Sequence, residues 1–320
     1  MMEENIKCIV TGGAGFIGSH LCDFLIKKGF EVYCLDNLIT GSQKNIDHLL
    51  ANPKFHFLKH DVSSPLPGKF LNEIGQIKYI YHLASPASPS QYQKYSIETL
   101  LVNSQGTYLM LELAKKHSAW FLPTSTSEVY GDPLEHPQKE TYFGHVNPVG
   151  IRACYDEAKR FSEAITMEYV RKFKVKARIA RIFNTYGPKM QKNDGRVISN
   201  FINQALSGKP LTVYGDGNQT RSFCYVDDMV RGLVTLMEKE NLDGEIINLG
   251  MPKEHTIKEI ADYIRKVCQS SSTIEYLPKT EDDPSRRKPD ITKAQKLLGW
   301  QPTTPLQSGI QKTISYFKGL

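Results

Sequence analysis

Near its start the chain passes from an apolar run, Lys7 to Val10, into Thr11-Gly12-Gly13-Ala14-Gly15-Phe16-Ile17-Gly18-Ser19-His20, and the helical pattern Ser19 to Lys28 takes over from there. Glycines at 12, 15 and 18 let the backbone turn tightly, let phosphates approach it, and let a helix pack closely on the preceding strand. The helix start aims free N–H groups and a positive dipole end at the turn, which suits a pyrophosphate. As an isolated feature a glycine triplet is also explained by a tight turn alone. A strand, such a turn and a helix form the opening of a right-handed crossover unit, and hence of a parallel sheet.

The first half of the chain keeps that rhythm. Apolar runs at Glu31 to Leu35, Phe55 to Leu58, Tyr79 to Leu83, Trp120 to Pro123 and Ala177 to Ile182 alternate with helical patterns at Thr99 to Lys116 and Asp156 to Lys172. The fold class expected is α/β, a doubly wound parallel (Rossmann) sheet with a smaller C-terminal substrate lobe. At 320 residues and 40% hydrophobic content the chain can bury a core of that size. After Tyr186 the texture becomes loops punctuated by Gly and Pro, broken by helical patterns at Val197 to Leu206, Asp227 to Glu238 and Thr256 to Val267. Thr292 to Gly299 and Pro305 to Phe317 read as two closing helices.

Asp36 ends the second strand 18 positions after Gly18, near the ~20-residue spacing at which a carboxylate meets an adenosine ribose. It would repel a 2′-phosphate, which favours NAD over NADP. The cofactor set is completed by Phe16 and Ile17 in the turn, Asn37, Thr40 and Gly41 after Asp36, and by residues at later strand ends, where doubly wound sheets bind ligands. Asp61 and Val62 are assigned to the adenine; Leu83, Ala84 and Ser85, beyond His82, are assigned to the middle of the cofactor. His82 itself reads better as hydrogen-bonded structure, and the nine histidines show no metal-ligand spacing, so no metal is expected.

Lys and Arg outnumber Asp and Glu by 40 to 34, but the basic residues are scattered, which argues for anionic small ligands and against nucleic acid. Six cysteines without CxxC spacing argue against disulfides and zinc and for a reducing compartment. Neither a charged-then-apolar leader nor a membrane-length apolar stretch is evident, so the expected location is cytoplasmic, with no membrane partner.

Tyr155 and Lys159 stand at i and i+4 of one helical pattern, facing one way. Alone, such a pair is commonplace on a helix surface. With the glycine turn, and with Thr126-Ser127-Glu128-Val129-Tyr130-Gly131 after the fifth apolar run, it resembles the extended short-chain dehydrogenase/reductases that modify nucleotide sugars. Within that family the chain most resembles the UDP-glucuronate decarboxylases (UDP-xylose synthases), from Ile6 to Phe317. The resemblance runs through His82-Leu83-Ala84-Ser85-Pro86-Ala87-Ser88-Pro89, Thr124-Ser125-Thr126-Ser127-Glu128-Val129-Tyr130-Gly131-Asp132-Pro133 and Cys154-Tyr155-Asp156-Glu157.

The resemblance implies a set of roles. Tyr155 is the base, its pKa lowered by the Lys159 ammonium and by the nicotinamide, whose ribose Lys159 also holds. Thr126 binds the sugar's C4 hydroxyl, which Tyr155 deprotonates as hydride leaves C4 for NAD. Loss of carbon dioxide from the 4-keto sugar, protonation at C5 and hydride return give UDP-xylose, with Glu128 positioning the sugar or a water near C5. Asn184, Arg221 and Arg287, the last within Asp283-Pro284-Ser285-Arg286-Arg287-Lys288-Pro289-Asp290, surround the UDP group. Two guanidinium groups can chelate a pyrophosphate there, and Val213 and Tyr214, in Leu211-Thr212-Val213-Tyr214-Gly215, add backbone hydrogen bonds beside the base. Salt bridging inside the lobe is the plain alternative for each arginine. The implied division is an NAD-binding domain at 1–185, with returning segments at about 221–250, and a nucleotide-sugar lobe mainly at 186–320. Homodimerisation through the tyrosine-bearing helix and its neighbour is also implied.

Other activities stay open. A 4,6-dehydratase starts with the same oxidation, but Ser127 stands where its acid is expected, and a 4-epimerase needs neither group. Leu101, in Thr99-Leu100-Leu101-Val102-Asn103, occupies a position where many decarboxylases carry a lysine, which would allow a different UDP- or dTDP-hexose as substrate. A non-catalytic NAD-binding scaffold or sensor is the reading from another class; the intact Thr126, Tyr155 and Lys159 argue against it.

Overall fold

Strands buried on both faces become continuous apolar runs, and those runs define the sheet. In the computed structural model, which describes residues 6–192, 194–278 and 286–319, the first half consists of β1 (Lys7–Thr11), α1 (Phe16–Lys27), β2 (Glu31–Asp36), β3 (Phe55–Lys59), α2 (Gly68–Ile74), β4 (Tyr79–His82), α3 (Pro89–Lys94), α4 (Ser96–Leu101), α5 (Thr107–His117), β5 (Trp120–Thr126), α6 (Ala153–Phe173) and β6 (Ile179–Ile182). The second half adds β7 (Thr185–Tyr186), α7 (Val197–Leu206), β8 (Leu211–Tyr214), β9 (Thr220–Ser222), β10 (Cys224–Tyr225), α8 (Val226–Glu238), β11 (Ile246–Leu249), β12 (Glu254–Thr256), α9 (Ile257–Cys268), β13 (Ile274–Leu277), β14 (Arg286–Arg287), α10 (Thr292–Leu298) and α11 (Leu306–Lys318).

Seven parallel strands form the main sheet in the order β11-β6-β5-β4-β1-β2-β3. The chain order reverses between β1 and β4, so the crevice at their C-terminal ends is where ligands of such sheets bind. Alternation along β1 divides the core: Cys8 and Val10 join the cluster that continues into the lobe, while Ile9 joins the cluster beneath α5 and α6. The lobe carries three small sheets, β10-β7, β12-β9-β14 and β13-β8. Among the described residues no helix is long and apolar enough to cross a membrane.

The sequence pattern Thr99 to Lys116 reads as one helix, but the structure breaks it into α4 and α5 around a π-helical turn, Val102–Gly106. Its polar side chains account for the break. Asn103 Nδ2 donates to the Thr99 carbonyl and to Ser85 Oγ, Ser104 Oγ donates to the Leu100 carbonyl, and Thr107 Oγ1 donates to the Asn103 carbonyl. Side chains thus compete for carbonyls that the helix would use, and bonding to Ser85 ties the turn to the crevice.

Candidate active site

A cavity of about 720 Å³ runs from the glycine turn to the C-terminal lobe. At its first end Gly12 has φ +69°, and a Cβ there would lie 2.8 Å from Ala84 Cα. A Cβ on Gly18 would lie 2.1 Å from the Gly12 carbonyl oxygen, so α1 can start this close to the turn only as glycine. Asp36 fixes the loop: Oδ2 accepts the Ala14 N–H at 3.0 Å and Oδ1 accepts the Leu38 N–H at 2.8 Å. Burial raises its pKa against those N–H groups. Gly41 lies against the carboxylate, 2.8 Å from Oδ1 to any added Cβ, and Asn37 Nδ2 donates to Asp61 Oδ2. Phe16, Ile17, Thr40, Val62, Leu83, Ala84 and Ser85 line the same groove, so the structure brings together every residue assigned to the cofactor. His82 is structural: its ring bonds Thr11 Oγ1 at 2.8 Å and Thr107 Oγ1 at 3.2 Å, and burial, then Lys159, holds its pKa at about 3.

Where β5 ends, Thr126 Oγ1 accepts the Glu128 N–H and hydrogen-bonds the Tyr155 phenol, and Ser127 lines the cavity beside them. One turn along α6, Lys159 Nζ donates to the Thr124 carbonyl at 2.7 Å. The protein's own groups do not lower the Tyr155 pKa, so the expected lowering rests on the nicotinamide's positive charge. Burial raises that pKa, with only the Thr126 hydrogen bond and the more distant Arg196 opposing, and burial lowers Lys159 to about 7 despite Glu163. Desolvation disfavours both charged forms, and Lys159 is spent on a carbonyl, not on the phenol.

Glu128 lies between two guanidinium groups, Arg152 at the start of α6 and Arg287 on β14. Burial works to raise its pKa, but Arg287 and Arg152 overrule it and hold it at about 2. It is a fixed anion, not a proton donor.

Arg221 and Arg287 are register partners on adjacent strands and both line the cavity, as does Asn184, so the structure brings these three together. Arg287 also donates to the Gly131 carbonyl, which draws it to the Thr126 end. Asp283, Pro284 and Ser285 of its motif lie outside the described residues. The assignment of Val213 is corrected: it is fully buried and does not line the cavity. Strand alternation turns Thr212 and Tyr214 to the cavity instead, while the N–H groups of Leu211 and Gly215 are spent on the carbonyls of Thr273 and Leu277 and that of Thr212 on Gln204. Leu101 is 43% exposed and outside the lining, where Glu98 and Val102 of the same segment appear.

Sequence reasoning missed Tyr92, whose ring stacks on Tyr155, and Arg152; Arg196, paired with Asp194, also faces the cavity. The signal for Arg152 was its place three residues before Tyr155; for Tyr92 there was none.

A doubly wound sheet, a glycine turn with an acidic strand end, and a Thr–Tyr–Lys set at the switch point define an extended short-chain dehydrogenase/reductase. The chain belongs to the family described as GDP-mannose 4,6 dehydratase, which matches residues 9–313. It is 53% identical over 316 residues to UDP-glucuronic acid decarboxylase 1 of Arabidopsis thaliana, covering 99% of this chain and 71% of the relative. To UDP-glucuronic acid decarboxylase 1 of Danio rerio it is 52% identical over 98% of this chain and 73% of that protein. Its fold superposes with TM-score 0.89 on UDP-glucuronic acid 4-epimerase from Bacillus cereus in complex with UDP-glucuronic acid and NAD, at 32% identity over 98% of this chain and 99% of that one.

Proposed function

We propose that the protein decarboxylates UDP-glucuronate to UDP-xylose and carbon dioxide with NAD as a recycled cofactor. The observation that carries this reading is the pair of guanidinium groups, Arg152 and Arg287, held by Glu128 beside Thr126 and Tyr155: a sugar whose C4 sits at Thr126 carries its C5 carboxylate toward two cations. The relatives at 52–53% identity act on that substrate by name.

The groove fits NAD, because Gly12, Gly15 and Gly18 line it with bare backbone at the start of α1 and Asp36 is set against a 2′-phosphate. Gly12, Gly15, Gly18, Asp36, Asp61 and Ser85 would hold it. NAD supplies an acceptor that takes a hydride from C4 and later returns it.

Thr126 binds the C4 hydroxyl and Tyr155, as the phenolate that a bound nicotinamide's positive charge would favour against burial, removes its proton. Oxidation leaves the carboxylate β to a ketone; carbon dioxide departs, its electron pair passes into the enolate, and C5 takes up a proton. Tyr155 returns its proton to the C4 oxygen at the end. Ser127 and the anionic Glu128 offer no acid to a C6 hydroxyl, which disfavours dehydration. Arg221, Asn184 and Tyr214 face the diphosphate and base, while Arg287, expected there too, is held at the sugar end by Glu128 and the Gly131 carbonyl.

Purified protein given UDP-glucuronate and catalytic NAD is expected to release carbon dioxide and form UDP-xylose by NMR. UDP-galacturonate as product would establish a 4-epimerase instead.

We further propose a homodimer through α6 and its neighbours, because Phe161, Ile97 and Tyr108 are exposed on three adjoining helices. Sedimentation as a monomer at micromolar concentration would overturn it.

A further inference from the structure

Asp156 follows Tyr155 on α6 but lies behind the cavity wall. Its side chain is 6% exposed, it is absent from the lining, and Oδ1 is buried with no hydrogen-bond partner among the described residues. A carboxylate in such a place lacks the donors that stabilise its charge. The groups around it come from four elements. Arg152 lies one helical turn ahead, its carbonyl accepting the Asp156 N–H at 3.1 Å, and pairs with Glu128 on the turn after β5; Glu128 pairs in turn with Arg287 on β14, and Glu157 is on its own helix. Tyr92 on α3, and Cys154 and Tyr155 on α6, feel its charge in turn.

We propose that Asp156 is a positioning residue that acts through Arg152, Glu128 and Arg287, its protonated form leaving that cluster cationic toward a hexuronate carboxylate. This rests on the decarboxylase reading of the site. Two guanidinium groups and one carboxylate leave one net positive charge; ionisation of Asp156 cancels it. Burial and Glu128 together raise Asp156 to about 7 against the two arginines, so the change falls within the working range of pH.

Linkage fixes the sign. A carboxylate ligand favours protonated Asp156, so its binding takes up a proton, and its affinity falls as pH rises through the pKa of the free enzyme. UDP-glucose, with no carboxylate, lacks this dependence while sharing every other titration, including that of Lys159.

The test uses NAD-loaded Tyr155→Phe protein, which blocks turnover, with affinities by calorimetry from pH 6 to 8. UDP-glucuronate is expected to bind about tenfold more weakly at pH 8 than at pH 6, one proton-linked pH unit corresponding to a factor of about ten, with proton uptake and with UDP-glucose nearly unaffected. Adding Asp156→Asn is expected to abolish the dependence and keep binding tight at both pH values; adding Asp156→Glu is expected to retain it. UDP-glucuronate binding with the same pH dependence in Asp156→Asn, or with none in the parent, overturns the proposal alone. UDP-glucuronate that fails to bind the parent overturns the functional reading and this proposal with it.

Discussion

The phenol ring of Tyr155 lies flat against that of Tyr92, with centroids 4.9 Å apart and planes 3° from parallel. Stacking fixes the ring of the base in the plane in which Thr126 meets its hydroxyl. Offset ring pairs contribute about 0.5–1.5 kcal/mol beyond burial, so Tyr92→Ala is expected to lower kcat roughly threefold to tenfold with a smaller change in KM. Tyr92→Phe keeps the ring and is expected to retain kcat. Equal kcat for Tyr92→Ala and wild type would remove Tyr92 from the positioning of the base.

Lys159 stores a cost that function requires. Its folded pKa, about 7, lies below the ordinary 10.5, so between those values the unfolded chain holds a proton that the native chain releases. Stability contributed by this site therefore rises with pH from about 7 toward 10.5, and the penalty is fully present below 7. Lys159→Met is expected to raise Tm at pH 6 while lowering kcat on the order of a hundredfold or more. Thermal melts that fall at pH 6 would contradict the burial argument.

Glu128 has the opposite sign. Its folded pKa of about 2 lies below the ordinary 4.5, so its stabilising contribution is present above 4.5 and is lost as pH falls toward 2. Glu128→Gln leaves Arg152 and Arg287 facing each other without their anion. Breaking a buried ion pair on one side costs about 3–5 kcal/mol, and a loss of roughly that size is expected in urea unfolding at pH 7. A loss under 1 kcal/mol would mean that water or a rearranged partner replaces the carboxylate.

How far the sequence could be read follows from where each signal resides. The main strands are apolar runs because both their faces are covered, so six of the seven were visible as local patterns; β9, β10, β12 and β14 have only two or three residues each and carry no period. The break between α4 and α5 was hidden because Asn103, Ser104 and Thr107 keep a helical pattern while rerouting its carbonyls. Thr126, Tyr155 and Lys159 were legible as a motif. The cluster around Glu128 was not, because its arginines lie 24 and 159 positions away and only the fold joins them. Val213 was misplaced through neglect of the alternation that sends Thr212 and Tyr214 to the opposite face.

Leu101 tests whether a missing lysine matters. Its side chain points away from the cavity at 43% exposure, so Leu101→Lys is expected to change KM for UDP-glucuronate less than twofold. A tenfold fall in KM would show that a long cation from this position reaches the sugar.

The glycine turn gives the sharpest steric prediction. A methyl on Gly18 would sit 2.1 Å from the Gly12 carbonyl oxygen and 2.8 Å from Gly13 Cα, both backbone, so neither can move aside as a side chain would. Gly18→Ala must push α1 away from β1, and with it the N–H groups aimed at the pyrophosphate. Overpacking of this kind costs about 1–3 kcal/mol, and NAD affinity is expected to fall at least tenfold by calorimetry. Gly29→Ala serves as the control: nothing lies within 4 Å of its added Cβ, and its φ of +88° exacts backbone strain far from the groove. Loss of stability in both variants, with loss of NAD affinity only in Gly18→Ala, would separate damage to the turn from damage to the fold; equal NAD affinity in the two would dissociate the close helix start from cofactor binding.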